Sequence, residues 1–535
     1  MNKLRVVLYF VYNHQMNVTM DEIGMCLIAA VLREHGYEVK LMADFEEDVN
    51  YEEIIKFKPD VIGFPVYQLA KKSVYNVSQK IKSLLPDIKV CVGGVYTTYN
   101  AEKMLKENAK IDFGLRGEGE ETFLELMDKL SAGEDYTQVK GITYWKDNEI
   151  VNNEDRPLMQ DLDVLPFAAR DIMLEKKWKV AVISGSRGCN SRCAFCATQL
   201  FWKKWRGRSV TSIVDELEML VKEYGIRVFN FIDSSFEDPY IDLRRMKAIA
   251  QEIIRRDLKI SYFADVRAEF HKKVTPEIME LLIQSGLTAV CIGIEAGNNT
   301  DLKVYHKIAK VEDNIEIINL LRKYKIRISP GFINFNPYST VERLRENLMF
   351  LKEIGYPIKF FSKLAIFKGT TIYHDVKNDG LITNGDKEDF SYVFVNKEVQ
   401  LLSDYLTKYR NEINTAHNYV HNTMDYYIDV YALVISHYGR MLKLTGNQKI
   451  NDYFDKYIEN YEEVISQFNA QCVTWCNVLL DIAERGWNEE KADKCTQELM
   501  PFSNFVESER KLSSLKDALY LNLYRNGYGE MLFIV

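Results

Sequence analysis

No stretch of these 535 residues reaches the ~18 uninterrupted apolar positions of a membrane span, and the opening "MNKLRVVLYFVYNH" has too short an apolar run for a secretory signal. That reads as a cytoplasmic protein. Basic charge is not in surplus either: 69 Lys and Arg stand against 77 Asp and Glu, a net charge of -8. A general nucleic-acid binder needs the opposite balance, so only a short basic segment, "FWKKWRGR" at 201 to 208, leaves room for a local groove. Low-complexity tracts, like-charge runs and fixed-period repeats are missing, which excludes a long disordered tail and a solenoid. Cysteine is sparse, nine in all, and in a reducing compartment those nine are free, metal-bound or catalytic rather than paired.

What is present is alternation. At this length about three or four domains are expected. Residues 1 to 135 alternate short apolar runs with amphipathic segments: "LRVVLYF", "YEVKLM", "DVIGFPV", "KVCVGG" and "IDFGLRG" read as parallel strands joined by helices. Thr19 and Glu22 form a capping-box pair for the first helix, whose Ile23, Leu27, Ala30 and Val31 share a face and which Gly36 closes. A doubly wound, Rossmann-like sheet follows. Such a sheet binds ligands beyond its carboxyl strand ends, where Tyr12, Asn13, Gln68, Gly93, Gly94 and Gly117 fall.

Residues 136 to 179 read as a connector with a small hairpin in "GITYWKDNEIV". From 180 to 370 six further strands appear, "VAVISGS", "RVFNFID", "ISYFADV", "AVCIGIE", "RISPGFINF" and "IKFFSKLAIF", with helices between them. Six β/α units predict a partial TIM barrel with ligands at its carboxyl strand ends. Residues 371 to 535 are helical in pattern and read as a C-terminal all-helical domain.

Three of the nine cysteines, Cys189, Cys193 and Cys196, occupy the loop after the first barrel strand, in "SRGCNSRCAFCATQ". A structural zinc site needs a fourth ligand, and no second Cys or His pair lies at suitable spacing nearby. An iron–sulfur cluster can be held by three thiolates, with one iron left open for chemistry.

The loop resembles that of the radical S-adenosylmethionine superfamily, whose Cys-x-x-x-Cys-x-aromatic-Cys motif is matched by Cys189, Cys193, Phe195 and Cys196. The resemblance implies a [4Fe-4S] cluster whose open iron chelates S-adenosylmethionine, reductive cleavage to a 5′-deoxyadenosyl radical, and a flavodoxin or ferredoxin as electron donor. "FNFIDSSFEDP", "ADVRAEF" and "GIEAGNNTDLKVYHK" resemble the next strand ends of the family, which makes Asp233, Arg267 and Glu295 candidates to hold S-adenosylmethionine. The chain departs from the family pattern at Asn190, where proline is more usual, at Asn336, where glycine before proline is usual, and at Lys368.

The segment from "KVCVGG" to "GLRGEGEETFLELM" resembles the cobalamin (B12)-binding domain that precedes the barrel in one class of these enzymes, and the connector fits that class too. Gly93, Gly94, Gly117, Glu118 and Gly119 are then candidate cofactor contacts. The Asp-x-His-x-x-Gly motif that supplies a cobalt-ligating histidine is missing, and the surroundings of His14 do not replace it.

His417 and His421, and Cys472 and Cys476, are spaced four apart on predicted helices and read as packed or solvated faces, with Cys495 the one further cysteine near the latter pair. Cys26, Cys91 and Cys291 read as packing residues, and the aromatics at 201 to 205 as lining the barrel mouth or its edge. The resemblance implies a cobalamin-dependent methylation of an unactivated carbon in a peptide or natural-product substrate. Radical cyclisation, ring contraction or epimerisation is the alternative, and a non-catalytic metal-binding protein the third reading.

Overall fold

The computed structural model describes residues 3–12, 14, 22–324, 326–355, 358, 360–383, 391–409 and 448–499. They fall into two compact units, one of residues 1–188 and 201–233, the other of 189–200 and 234–535.

In the first unit, β1 (Arg5–Tyr12), α1 (Ile23–Glu34), β2 (Glu38–Phe45), α2 (Tyr51–Phe57), β3 (Val61–Pro65), α3 (Lys71–Leu84), β4 (Lys89–Gly93), α4 (Gly94–Glu107), β5 (Phe113–Leu115) and α5 (Gly119–Ala132) follow in turn. The hairpin β6 (Ile142–Lys146) and β7 (Glu149–Asn152) continues the same sheet antiparallel, giving the order β2-β1-β3-β4-β5-β6-β7. Strand order therefore reverses between β1 and β3, the switch point at which such sheets open a crevice. β1 is buried on both faces: Val6, Leu8 and Phe10 pack with α1 and α5, Val7, Tyr9 and Val11 with α3.

Thr19 of the predicted capping box lies outside the described residues; α1 is described from Ile23, with Glu22 before it, and the Glu22 carboxylate accepts a 2.6 Å bond from the Tyr67 hydroxyl. The buried face is also wider than predicted, with Met25, Cys26, Ala29 and Leu32 joining Ala30 and Val31, while Gly36, at φ +79°, closes the helix as expected.

A short helix α6 (Asp171–Glu175) leads into β8 (Val180–Ile183) and the two-residue strand β9 (Ser186–Arg187). The cysteine loop and a one-turn helix α7 (Thr198–Trp202) precede β10 (Arg206–Gly207), α8 (Val210–Tyr224) and β11 (Val228–Phe231). β8 pairs parallel with β11, and β9 antiparallel with β10. Ser209 caps α8 through its hydroxyl, which accepts from the Ser212 amide.

The second unit contains α9 (Arg244–Arg255), β12 (Ser261–Val266), α10 (Pro276–Ser285), β13 (Leu287–Glu295), α11 (Asn299–Val304), α12 (Val311–Lys323), β14 (Arg327–Phe332), α13 (Val341–Glu353), α14 (Thr371–Asn378) and α15 (Lys397–Lys408), with β12, β13 and β14 pairing parallel. The sixth predicted strand, "IKFFSKLAIF", is not a strand among the described residues; Lys363 makes only an isolated bridge with Phe335. The reason is local. The Ser362 hydroxyl donates to Phe332 O and its amide to Asn334 Oδ1, side-chain bonds that compete with a ladder.

Helices Gln448–Glu484 and Glu489–Leu499 complete the helical C-terminal region. Arg345 of α13 anchors the longer one through Asn477 at 3.0 Å and Asp481 at 2.8 Å. Cys472, Cys476 and Cys495 are buried there, and burial pushes the three thiols up, as for packed small hydrophobes. His417 and His421 lie outside the described residues. Among the described residues no helix is long and apolar enough to cross a membrane.

Candidate active site

The cysteine loop is held by bonds from its own residues and from Tyr305. Cys189, Cys193 and Cys196 are part-exposed, whereas Cys26 and Cys91 are buried as predicted. The Ser191 amide donates to Cys189 Sγ at 3.3 Å, and the Ser191 hydroxyl lies 3.3 Å from Cys193 Sγ, so one residue touches two of the three sulfurs. Gln199 Nε2 donates to the carbonyls of Cys189 and Ser191, and the Ala194 amide to Tyr305 O at 2.9 Å. Burial pushes the Cys189 thiol up to about 11, so its thiolate needs a bound cation to form at neutral pH.

Asn190 explains its own departure from the family pattern. Its amide donates to Asp238 Oδ2 at 2.9 Å, a bond that proline, with no N–H, cannot make. Just before the loop, Gly188 sits at φ +86°, and a Cβ there would come 2.4 Å from Lys204 O. No other residue fits.

Among the described residues no three His, Cys, Asp or Glu side chains converge as tightly as a single ion requires. A cuboidal cluster makes no such demand, because its three thiolates bind three different irons. The triplet's partial exposure, its spacing, and the amide and hydroxyl of Ser191 against two of the sulfurs fit that group.

The predicted strand-end charges differ in kind. Asp233 has no exposed surface, and its carboxylate accepts from the Gly185 amide at 2.8 Å and from the Ser186 hydroxyl, which ties two strand ends together. Arg267 is committed to Glu237 at 3.0 Å and Asp238 at 2.7 Å; burial lowers its pKa, and the two carboxylates outweigh that and raise it. Glu295 stands apart. It occupies the left-handed region at φ +64°, where the β13–β14 register slips between Gly293 and Glu295. Its carboxylate lies over bare backbone, since a Cβ on Gly293 would meet Oε1 at 2.5 Å. Burial raises its pKa and Lys307, 3.9 Å away, opposes the rise. Backbone strain of this kind collects at functional positions.

Phe195 packs its ring against Tyr305, centroids 5.6 Å apart. Cys291 corrects the sequence reading: it is exposed, not packed. "AVCIGIE" has two faces, with Val290, Ile292 and Ile294 buried on one and Cys291, Gly293 and Glu295 on the other; Cys291 lies in register with Asp265 and Ser329.

At the strand ends of the first sheet, Tyr12 is 4% exposed and packs with Phe10 and Phe45. Asn13 lies outside the described residues. Glu118 is buried and paired with Arg187 at 2.7 Å and Arg206 at 3.0 Å, and it accepts from the Met159 amide. Trp202 lies against the same two guanidinium groups, 5.2 and 5.7 Å from its centroid. Arg208 is bound to Glu216, so Arg206 and Arg208 of "FWKKWRGR" both pair with buried carboxylates.

Gln68, Gly93 and Gly117 are part-exposed and Gly94 is open. Gly94 is at φ +90°, its Cα so near β3 that a Cβ would come 3.3 Å from the Val66 nitrogen. Thr98 joins the two glycine turns, accepting from the Gly117 amide at 3.0 Å and donating to Gly94 O at 2.9 Å. Around these turns stand four residues that sequence reading missed: Tyr67, Leu69, Val95 and Tyr99, exposed by 38, 51, 41 and 38%. Large apolar side chains left open beside accessible backbone fit a flat, largely apolar macrocycle. The missed signal was an apolar residue in each first turn after β3 and β4. His14 pairs with Glu47 and stacks on Phe45 instead.

A glycine-lined, apolar sheet edge and a three-cysteine loop after a barrel strand define an α/β enzyme that carries two unlike cofactors. The B12 binding domain family matches residues 11–127 and the Radical SAM superfamily residues 183–357. An uncharacterized methyltransferase of Pyrococcus horikoshii is 30% identical over 377 residues, 68% of this chain and 80% of that protein. The anaerobic magnesium-protoporphyrin IX monomethyl ester cyclase of Rubrivivax gelatinosus is 30% identical over 335 residues, 60% of each chain. The cobalamin-dependent S-adenosylmethionine radical enzyme OxsB, solved with aqua-cobalamin and S-adenosylmethionine, shares the fold at a TM-score of 0.70 and 21% identity, over 94% of this chain and 84% of that one. The chain belongs to the radical S-adenosylmethionine superfamily, in the class with an N-terminal B12-binding domain. It is a radical enzyme whose cofactors are a [4Fe-4S] cluster, S-adenosylmethionine and cobalamin.

Proposed function

We propose that this enzyme methylates an unactivated carbon of a peptide or other natural product in a cobalamin-dependent reaction. The observation that carries the reading is the open apolar surface of Tyr67, Leu69, Val95 and Tyr99 beside Gly94, in a chain that also bears the cysteine loop. The methyltransferase name of the Pyrococcus relative supports it. When bound, the cluster and S-adenosylmethionine supply a primary carbon radical, and cobalamin a transferable methyl group.

The chain's own work is placement. Cys189, Cys193 and Cys196 hold the cluster, with Ser191 fixing two of the sulfurs. Glu295, held over Gly293, presents a carboxylate to the amino or ribose part of the nucleotide, and Arg267 orders the loop through Asp238, which also holds Asn190. Asp233 positions the strand ends. A flavodoxin or ferredoxin delivers the electron.

The test is anaerobic turnover of reconstituted enzyme with methyl-deuterated S-adenosylmethionine and a metabolite extract of the encoding organism. Deuterated methyl in a new product supports the reading. Accumulation of 5′-deoxyadenosine with an unlabelled product overturns it and leaves radical ring formation, the second reading, which the cyclase relatives favour.

A further inference from the structure

Asp301, in the first turn of α11, carries a charge with no exposed surface. Its compensation is complete. Oδ2 accepts from Asn298 at 2.7 Å and Asn347 at 3.3 Å, Oδ1 from Asn336 Nδ2 at 2.8 Å, and Arg343 lies 3.3 Å from Oδ1. A buried carboxylate is stable only with such a full set of partners.

Asn336 does more than serve Asp301. The same Nδ2 donates to the Tyr305 hydroxyl at 3.0 Å, while Oδ1 accepts from the Tyr338 amide at 3.0 Å. Tyr305 is fully buried at the end of α11, and it holds the cysteine loop twice: its carbonyl accepts from the Ala194 amide at 2.9 Å, and its ring meets the edge of Phe195. Ala194 and Phe195 are the two residues between Cys193 and Cys196. On the other side of Ala194, its carbonyl accepts from the Ile372 amide at 3.0 Å.

We propose that Asn336 is a positioning residue for the iron–sulfur centre, fixing the Ala194–Phe195 segment, and with it the reach of Cys193 and Cys196, through Tyr305. This rests on the reading that the triplet holds the cluster. Glycine at this position has neither the side-chain donor nor the acceptor, so it would release Tyr305 and Asp301 together. A bonded network of buried polar groups gives one geometry where an apolar contact permits several.

Hydrogen exchange followed by mass spectrometry on the full chain without cofactors tests this, with Asn336→Gly and Tyr305→Phe. The second variant removes only the hydroxyl and leaves every donor to Asp301 in place. Exchange in residues 190–197 is expected to rise about tenfold in N336G and about threefold in Y305F, with α9 unchanged in both. After anaerobic reconstitution, the electron paramagnetic resonance spectrum of the reduced cluster with S-adenosylmethionine should broaden in both variants. A general loss of stability would speed α9 equally, and that result, or unchanged exchange at 190–197, overturns the proposal. If N336G does not fold, Y305F alone decides. Wild-type protein that takes up no iron and sulfide sinks the cluster reading itself, an outcome the exchange data on cofactor-free protein keep separate.

Discussion

The β3–β4 edge of the first sheet and the cysteine loop of the second unit, the proposed seats of the two cofactors, are built by opposite means. At the sheet edge the chain offers shape: bare backbone at Gly94 and open apolar side chains at Tyr67, Leu69, Val95 and Tyr99, with few directed bonds. At the loop it offers bonds. Ser191, Gln199, Asn190 and Asp238, all near the three sulfurs, are engaged in hydrogen bonds. A macrocycle is recognised by area, whereas an iron cluster is recognised by ligand identity, so substitutions should be tolerated at the first site and not at the second.

The sharpest break of this contrast is Cys193→Ala. Iron uptake and S-adenosylmethionine cleavage should fall below detection, while cobalamin uptake, read from visible absorbance, stays at the wild-type level. Loss of both cofactors together would mean that the sites are not independent.

Glu118→Ala comes next, because it takes from buried Arg206 its carboxylate partner and leaves Arg187 with Glu120 alone. Unfolding free energy should drop by about 3–5 kcal/mol in chemical denaturation, as for other broken buried pairs. Cobalamin affinity in the folded protein should be unchanged; a selective loss of affinity with normal stability would restore Glu118 as a ligand contact.

Gly94→Val probes the shape side. A branched residue in the left-handed region costs roughly 1–2 kcal/mol, and its side chain occupies the open backbone, so cobalamin should bind about tenfold more weakly while the cluster signal is retained. The mildest changes are Leu69→Ser and Tyr99→Ser. Each removes apolar contact area worth about 1 kcal/mol, a few-fold in the cobalamin dissociation constant by equilibrium titration, and an equal loss for polar substitutions elsewhere on the surface would remove the distinction.

The same contrast decides what could be read from the residues alone. Thiolate ligation admits one residue type at fixed spacing, so Cys189, Cys193 and Cys196 stand out in "GCNSRCAFC". Strand and helix periods likewise show the alternation of both α/β regions. Tyr67 and Tyr99 carry no such mark, since any large apolar residue makes the same surface, and Tyr12, next to them in the reading, turned inward because β1 is covered on both faces. Charges are as hard to read. Asp233 and Glu118 sit at strand ends where ligands are expected, and only the structure shows the interior partners each of them carries. Cys291 hid in an apolar run because a strand's two faces alternate within it.

The Asn190 amide bond to Asp238 has a practical meaning for anyone moving this motif between proteins. The loop is not a self-contained cassette: spliced into a host that lacks an acidic acceptor after the second barrel strand, it arrives with a dangling donor, and a host loop carrying proline cannot be exchanged for it one residue at a time. Chimeras should therefore carry the 233–240 segment along with the cysteines.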